Sequence, residues 1–357
     1  MALNIVLVGL ASLALGRHLV KPKPLQSQWL NLAEISNQAL FRIFLIGAFF
    51  GFLNMLMSVD FNVFEMIDAM MGPRFTQPWG RGRLGGWSSL FIELSMMIYV
   101  VPPLAGVIWN RRRSFSMLQL AIVMAVLALT LFHGFAGGTR NVFVAFLATF
   151  LMGYLLTLPK NTWLNTLVPI LLTVVVVVYG SYHMLEFRGM GLRSYVENKV
   201  YASESTSDTL AVDYNLASIG WIARAMPKSH DYLGSEILVW SLVRPVPRAI
   251  WPGKPEGLSV SIEEIAGAEG WTVAATYLGE AYMMAGMLGV IGVSLGFGAL
   301  AAWWNRMAMA HQSDYALIVY ALGFFAAGVT MRSMFWLTTT MLPVIALILL
   351  RKIGPFK

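Results

Sequence analysis

Residues 163–182 read WLNTLVPILLTVVVVVYGSY, a run from Trp163 to Tyr182 with no Asp, Glu, Lys or Arg in it. As a helix it reaches across the roughly 30 Å hydrocarbon core of a bilayer. Backbone N–H and C=O groups find no water at that depth, so a spanning segment of this kind bonds within itself as a helix. Working outward, further runs of the same character lie at Ala2–Gly16, Ser36–Ser58, Gly86–Trp109, Phe115–Phe132, Asn141–Leu158, Val273–Ala302, Tyr315–Gly328 and Ser333–Leu350. The expected fold is therefore all-α, a polytopic transmembrane helical bundle of about nine spans. The first run is short, but the basic residues Arg17, Lys21 and Lys23 follow it rather than precede it, which favours a span over a signal peptide. The seventh is longer than one crossing needs, and predicts a tilted helix or one that begins at the interface.

The whole chain agrees with this reading. Its 357 residues are 57% hydrophobic and 12% charged, with a mean hydropathy of +0.67. A soluble domain carries about twice that charge fraction. There is no cysteine, which excludes a disulfide framework, a thiolate metal site and a cysteine nucleophile. The formal charge of +7 fits basic membrane loops, and no nucleic-acid partner is expected.

Lys and Arg in the short connections give an orientation. One set of connections holds Arg17, Lys21, Lys23, Arg111, Arg112, Arg113, Lys160, Arg306, Arg351, Lys352 and Lys357, with only Glu34 and Asp314 as acids. That set reads as cytoplasmic, placing the N-terminus in the periplasm and the C-terminus in the cytoplasm. Three regions follow: an N-terminal bundle of about six spans (1–182), a large, partly helical periplasmic loop (183–272), and about three C-terminal spans (273–357).

The outer face departs from the charge rule. It keeps thirteen of the 25 basic residues, among them Arg74, Arg81, Arg83, Arg140, Arg188, Arg193, Arg224, Arg244, Arg248, Lys254 and Arg332. Gly137-Gly138-Thr139-Arg140 and Met331-Arg332 set arginines at span ends, where a guanidinium is costly unless it pairs or lines a wet cavity. Snorkelling to lipid phosphates accounts for any one of them; a shared anion site accounts better for the set. In the long loop, Val212, Leu216, Ile219, Ala223 and Met226 have helical spacing up to Pro227, and Leu233–Val243 is a second helix candidate. Then comes Arg244-Pro-Val-Pro-Arg-Ala-Ile-Trp-Pro-Gly-Lys-Pro255, whose prolines predict a stiff, extended strap carrying Arg244, Arg248 and Lys254, with Trp251 as an interfacial anchor. Beyond it, Thr276-Tyr277-Leu278-Gly279-Glu280-Ala281-Tyr282 brings Glu280 into the seventh span. An intramembrane carboxylate is a functional candidate, with an ion pair to Arg140 or Arg332 as the structural alternative. Glu93 and His133 are reserves, and Arg81-Gly-Arg83 ahead of Gly85-Gly86 is a flexible basic stretch suited to closing over a ligand.

The strap from Pro247 to Pro255, the Tyr232-Leu-Gly234 segment ahead of it, the Tyr277–Gly286 region after it and Gly138-Thr139-Arg140 together resemble the Wzy-type O-antigen and oligosaccharide repeat-unit polymerases. The similarity covers roughly Ala211 to Gly298. It implies a glycosyltransferase of the bacterial inner membrane that joins undecaprenyl-diphosphate-linked repeat units at the periplasmic face, without a metal or other cofactor. Membrane lipids, a chain-length regulator and other polysaccharide-assembly proteins are the implied partners. Charge-assisted, bidentate arginine bonds suit a departing diphosphate. The expected catalytic residues are Glu280, Arg140 and Arg248. The expected substrate-binding residues are Arg244, Lys254, Arg332, Arg81, Arg83, Arg188, Trp251, Tyr277 and Tyr282. An O-antigen ligase-like transferase, a transporter of lipid-linked glycans and a non-enzymatic scaffold for envelope assembly are the alternatives.

Overall fold

In a computed structural model the described residues are 1–24, 30–74, 76–79, 88–160, 162–197, 215–246, 250–255, 257–266, 274–310 and 313–353; among them there are helices and no strand. In chain order the helices are α1 (Ala2–Gly16), α2 (Asn37–Met57), α3 (Val63–Met70), α4 (Ser88–Leu94), α5 (Val101–Asn110), α6 (Met117–Ala136), α7 (Arg140–Leu156) and α8 (Trp163–Phe187). They continue with α9 (Leu192–Glu197), α10 (Asn215–Ala225), α11 (Glu236–Val243), α12 (Ile262–Ala266), α13 (Thr276–Met309), α14 (Asp314–Arg332) and α15 (Leu337–Lys352). The chain is a membrane protein by its helices: among the described residues 7 are long and apolar enough to cross a bilayer, and α1 and α7 are apolar but shorter. Length alone thus supports fewer crossings than the nine runs of sequence suggest.

Two of those runs are not single straight helices. The third is α4 and α5 joined by a 3-10 segment, Ser95–Val100. Pro102 and Pro103 open α5 and lack the N–H groups that would continue a regular ladder back through that segment. The seventh, α13, is a hairpin. Ala285 and Gly286 leave helical geometry, with Gly286 at φ 59° and ψ −142°. The Ser294 hydroxyl lies 3.3 Å from the Tyr277 hydroxyl, and the rings of Tyr277 and Phe297 are 5.4 Å apart. Seventeen residues along a straight helix would separate Tyr277 from Ser294 by about 25 Å. A short limb, 276–284, therefore runs back along a long limb, 287–309. The extra length is not a tilt or an interfacial start, as the sequence suggests, but a reversal. Gly286 permits it because its positive φ is strained for any residue with a Cβ. The long limb alone spans about 34 Å, enough for one crossing.

Packing divides the chain into two compact units, one made of Met1–Asn31, Val212–His311 and Gly323–Val344, the other of Leu32–Ala211, Gln312–Leu322 and Ile345–Lys357. In the first, α1 lies parallel to the long limb of α13. Gly9 faces Val290, and a Cβ on Gly298 would fall 2.2 Å from the Leu13 carbonyl oxygen. Small residues let the backbones approach where lipid gives no hydrophobic drive between helices. The two helices expected in the long loop are present as α10 and α11. They close onto the hairpin: Ile219, Ile222, Met226 and Ile237 share a core with Ile5, Tyr277, Leu278, Tyr282 and Met283.

In the second unit, α2 packs on the Ser95–Val100 segment, and α6, α7 and α8 meet around Phe143, Leu147, Met184 and Phe187. Arg111, at the end of α5, donates to Asn37 at 3.2 Å and pairs with Glu34 at 3.1 Å and with Asp314. Burial would lower its pKa, but the Asp314 hydrogen bond and the charges of Glu34 and Asp314 outweigh this and raise it. Asp314 also donates its backbone N–H to Glu34, at 2.7 Å.

Candidate active site

Glu280 sits in the short limb of α13 and is 2% exposed. Its two oxygens accept from the Ser333 hydroxyl at 2.5 Å and from the Met334 N–H at 2.6 Å. Both donors lie at the break between α14 and α15, where Ser333 is extended and Met334–Trp336 form a 3-10 turn leading into the last helix. The carboxylate thus caps that helix from a distance, taking an amide that has no partner within its own turn. The alternative of an ion pair with Arg332 gives way to Arg332's neighbours in sequence: Arg332 ends α14 with an exposed side chain.

The same break holds Arg244. This residue is the C-cap of α11, and its guanidinium carbon lies 3.8 Å from the centroid of the Trp336 ring, a cation–π stack. The Thr338 hydroxyl donates to the Ser241 carbonyl at 2.5 Å, tying α11 to the start of α15.

Lys254 reaches back to the Arg244 and Val246 carbonyls at 2.5 and 2.9 Å, with its ammonium 5.6 Å from the Trp240 ring centroid. A polyproline-like strap would hold residues 244 and 254 about 31 Å apart. The strap is instead a closed loop, because proline fixes φ but leaves ψ free to turn. Trp251, 40% exposed, stands on this loop.

Tyr277 and Tyr282 are 3% and 4% exposed. Tyr277 faces the long limb, and Tyr282 meets the Tyr232 ring edge-on at 6.1 Å. Tyr232 leads a segment that seals the hairpin's turn. The N–H groups of Leu233 and Gly234 donate to the Met283 and Met284 carbonyls, both at 2.9 Å, which the reversal at Ala285 would otherwise orphan. A Cβ on Gly286 would come within 2.7 Å of the Tyr232 hydroxyl.

Of the expected site residues, then, Glu280, Arg244, Lys254, Arg332, Trp251, Tyr277 and Tyr282 belong to the first unit. Arg140 and Arg188 belong to the second. There Gly138, at φ 60°, brings the Gly-Gly-Thr-Arg turn against Arg188: a Cβ on Gly138 would lie 3.1 Å from the Arg188 Cα. Arg248, Arg81 and Arg83 lie outside the described residues. Of the reserves, Glu93 is in α4 and His133 in α6, where it meets the Trp79 ring edge-on at 6.5 Å. Sequence reasoning missed Ser333, Met334 and Trp336. The signal available was a serine ahead of the last apolar run, an N-cap pattern. Among the described residues no group of three or more His, Asp or Glu is placed to hold a metal ion.

No curated protein and no solved structure matches the chain. From Ser88 onward it matches one family across residues 88–352, a stretch that takes in Glu280, Arg244 and the Ser333–Trp336 break. The chain belongs to that family, described as Domain of unknown function (DUF8712).

Proposed function

We propose that the protein is a membrane glycosyltransferase that polymerises glycan repeat units carried on undecaprenyl diphosphate. The observation that carries this reading is that, within one unit, the buried Glu280 carboxylate and the Arg244 cation both contact the Ser333–Trp336 break. The motif resemblance of the strap supports it. In the proposed step an acceptor-sugar hydroxyl oxygen forms a bond to the donor's anomeric carbon while that carbon's bond to the diphosphate oxygen breaks. The hydroxyl proton passes to Glu280, and the electron pair leaves on undecaprenyl diphosphate. Arg244 supplies positive charge for the leaving group, with Arg248 and Arg332 as the other cations of the reading. Tyr232 and Trp251, 39% and 40% exposed, offer faces for sugar rings.

The reading also places this chemistry on the periplasmic face of a bacterial inner membrane. Reporter fusions at Ser229 are expected to read outside, and fusions at Arg112 inside; the reverse result overturns the orientation.

The deciding experiment is reconstitution of the full chain in vesicles with a defined undecaprenyl-diphosphate oligosaccharide, with products resolved on a gel. A ladder of polymer is expected. Arg248→Ala and Arg332→Ala should each lose it with protein levels intact, and normal polymer from both sinks the diphosphate clamp.

A further inference from the structure

Glu280, as the proposed base, is closed off: it is 2% exposed, with the Ser333 hydroxyl and the Met334 N–H on its two oxygens. An acceptor hydroxyl reaches it only after the packing around it opens, so something must move. The candidates for movement are the contacts that hold the hairpin shut, and those contacts are few. Leu233 and Gly234 donate to Met283 and Met284, and the Tyr232 ring lies over Gly286 and against Tyr282. This segment is the outermost of the packing around the turn, with Tyr232 itself 39% exposed.

The segment is also one end of a short rigid rod. Helix α11 follows at once and spans about 12 Å. Its first residue, Glu236, accepts from the Ser259 hydroxyl at 2.8 Å and from the Ser259 N–H. Its other end is Arg244, stacked on Trp336 and fixed through its carbonyl to Lys254. Trp336 is two residues beyond Met334, whose N–H is held by Glu280. Arg244 is therefore linked through Trp336 to the Met334 amide on the proposed base, and through α11 to the seal on the hairpin that carries it.

We propose that α11 is a lever joining the donor site to the base, with Tyr232–Gly234 as a latch on the α13 hairpin. A lipid diphosphate that draws Arg244 from the face of Trp336 lifts the latch and frees Glu280. This deepens the polymerase reading and rests on it. A ligand shifts such an equilibrium only by its differential affinity for the two states. Here the difference proposed is one of position: the N–H fork of Arg244 meets the phosphate oxygens from the displaced place and not from its place over Trp336. The device orders the reaction, exposing the base once a donor is in place, so that a free hydroxyl or water finds no base beforehand.

The chain has no cysteine, so a single introduced thiol reports on the latch. Met283→Cys places one at a fully buried position under Leu233. In vesicles, with farnesyl diphosphate as a short lipid diphosphate, its maleimide labelling should accelerate at least ~10-fold. With Arg244→Gln added it should not accelerate, and with Tyr232→Ala it should be fast without ligand. Binding is measured in parallel with radiolabelled farnesyl diphosphate. Binding without acceleration overturns the latch and leaves the polymerase reading standing; no binding overturns both. A second variant guards against misfolding. In Leu233→Cys/Met283→Cys the two thiols flank a 2.9 Å backbone hydrogen bond, near enough for a disulfide. Oxidation should cut polymer formation at least ~10-fold, and dithiothreitol should restore it. Full polymerisation by the oxidised protein overturns the latch, and no polymer from the unaltered chain overturns the polymerase reading.

Discussion

In the second unit, Glu34 and Asp314 share the guanidinium of Arg111, with 23% to 42% of each side chain exposed. In the first, Glu280 is almost fully buried and meets a hydroxyl and a backbone amide instead. The first arrangement closes on itself: opposite charges in contact, partly hydrated, able to hold helix ends together and to do little else. The second satisfies the carboxyl with a hydroxyl and an amide, neither of them charged. In the proposed function the buried acid does the chemistry, while the half-exposed ion-pair cluster is a clasp.

This contrast breaks most visibly at Glu280. Glu280→Gln keeps a hydrogen-bonding side chain of the same size but removes the base. Polymer formation should fall at least ~100-fold, with the thermal midpoint in detergent close to that of the parent. Full activity in this variant would make Glu280 a clasp like the other. Glu280→Ala should also destabilise, because the Ser333 hydroxyl and Met334 amide each lose an acceptor at about 1–3 kcal/mol.

Arg111→Ala tests the other side. It leaves Glu34 and Asp314 facing each other and should cost about 2 kcal/mol, below the buried-pair value because the cluster is partly solvated. The midpoint should drop while activity per folded molecule is unchanged. A selective loss of turnover would contradict the assignment of this cluster as purely structural.

Gly286→Ala sharpens the comparison within the first unit. The positive φ costs about 1–2 kcal/mol for a residue with a Cβ, and the new methyl meets the Tyr232 hydroxyl. Adding Tyr232→Ala should recover the clash and not the φ penalty, as thermal denaturation of the single and double variants would reveal.

The smallest effect is expected at Tyr195 in α9. Its hydroxyl bonds Glu186, and His183 lies 3.1 Å from both groups. Burial, then the Glu186 hydrogen bond and charge, push the Tyr195 pKa from 10.0 to about 12. A raised folded-state value favours the neutral phenol. Its stabilisation is complete below pH 10 and is lost as pH rises through about 12. Tyr195→Phe should cost about 1 kcal/mol at neutral pH and flatten this alkaline decline. An unchanged slope would detach Tyr195 from the transition.

Much of the helical plan was legible in the chain because lipid imposes a length and a composition on each crossing. The helices α10 and α11 were legible too, since Pro227 and Pro245 mark where helical spacing stops. The hairpin was not. Thr276–Met309 is mostly apolar from end to end, and Ala285-Gly286 looks like any small-residue pair until the Tyr277–Ser294 contact shows a reversal. The strap was misread because proline is at home in turns and in extended chain alike, and the Lys254 bonds that choose between them join residues ten apart. Glu280 was singled out by its depth in an apolar run, yet its partners stand 53 and 54 residues downstream, beyond any local pattern.

The parallel pairing of α1 with the long limb of α13 bears on how the protein is made. Gly16 packs on Leu295 and Gly298 on Leu13, so the partners are some 280 residues apart in the chain. At ribosomal speeds of about 5–20 residues per second, α1 waits roughly 15 to 55 s for the surface it fits. During that interval its row of small residues faces lipid, or whatever insertase or chaperone receives it. Helix α1 is thus seated only some 280 residues after it emerges, and the unit holding Glu280 takes shape only once α13 has been made.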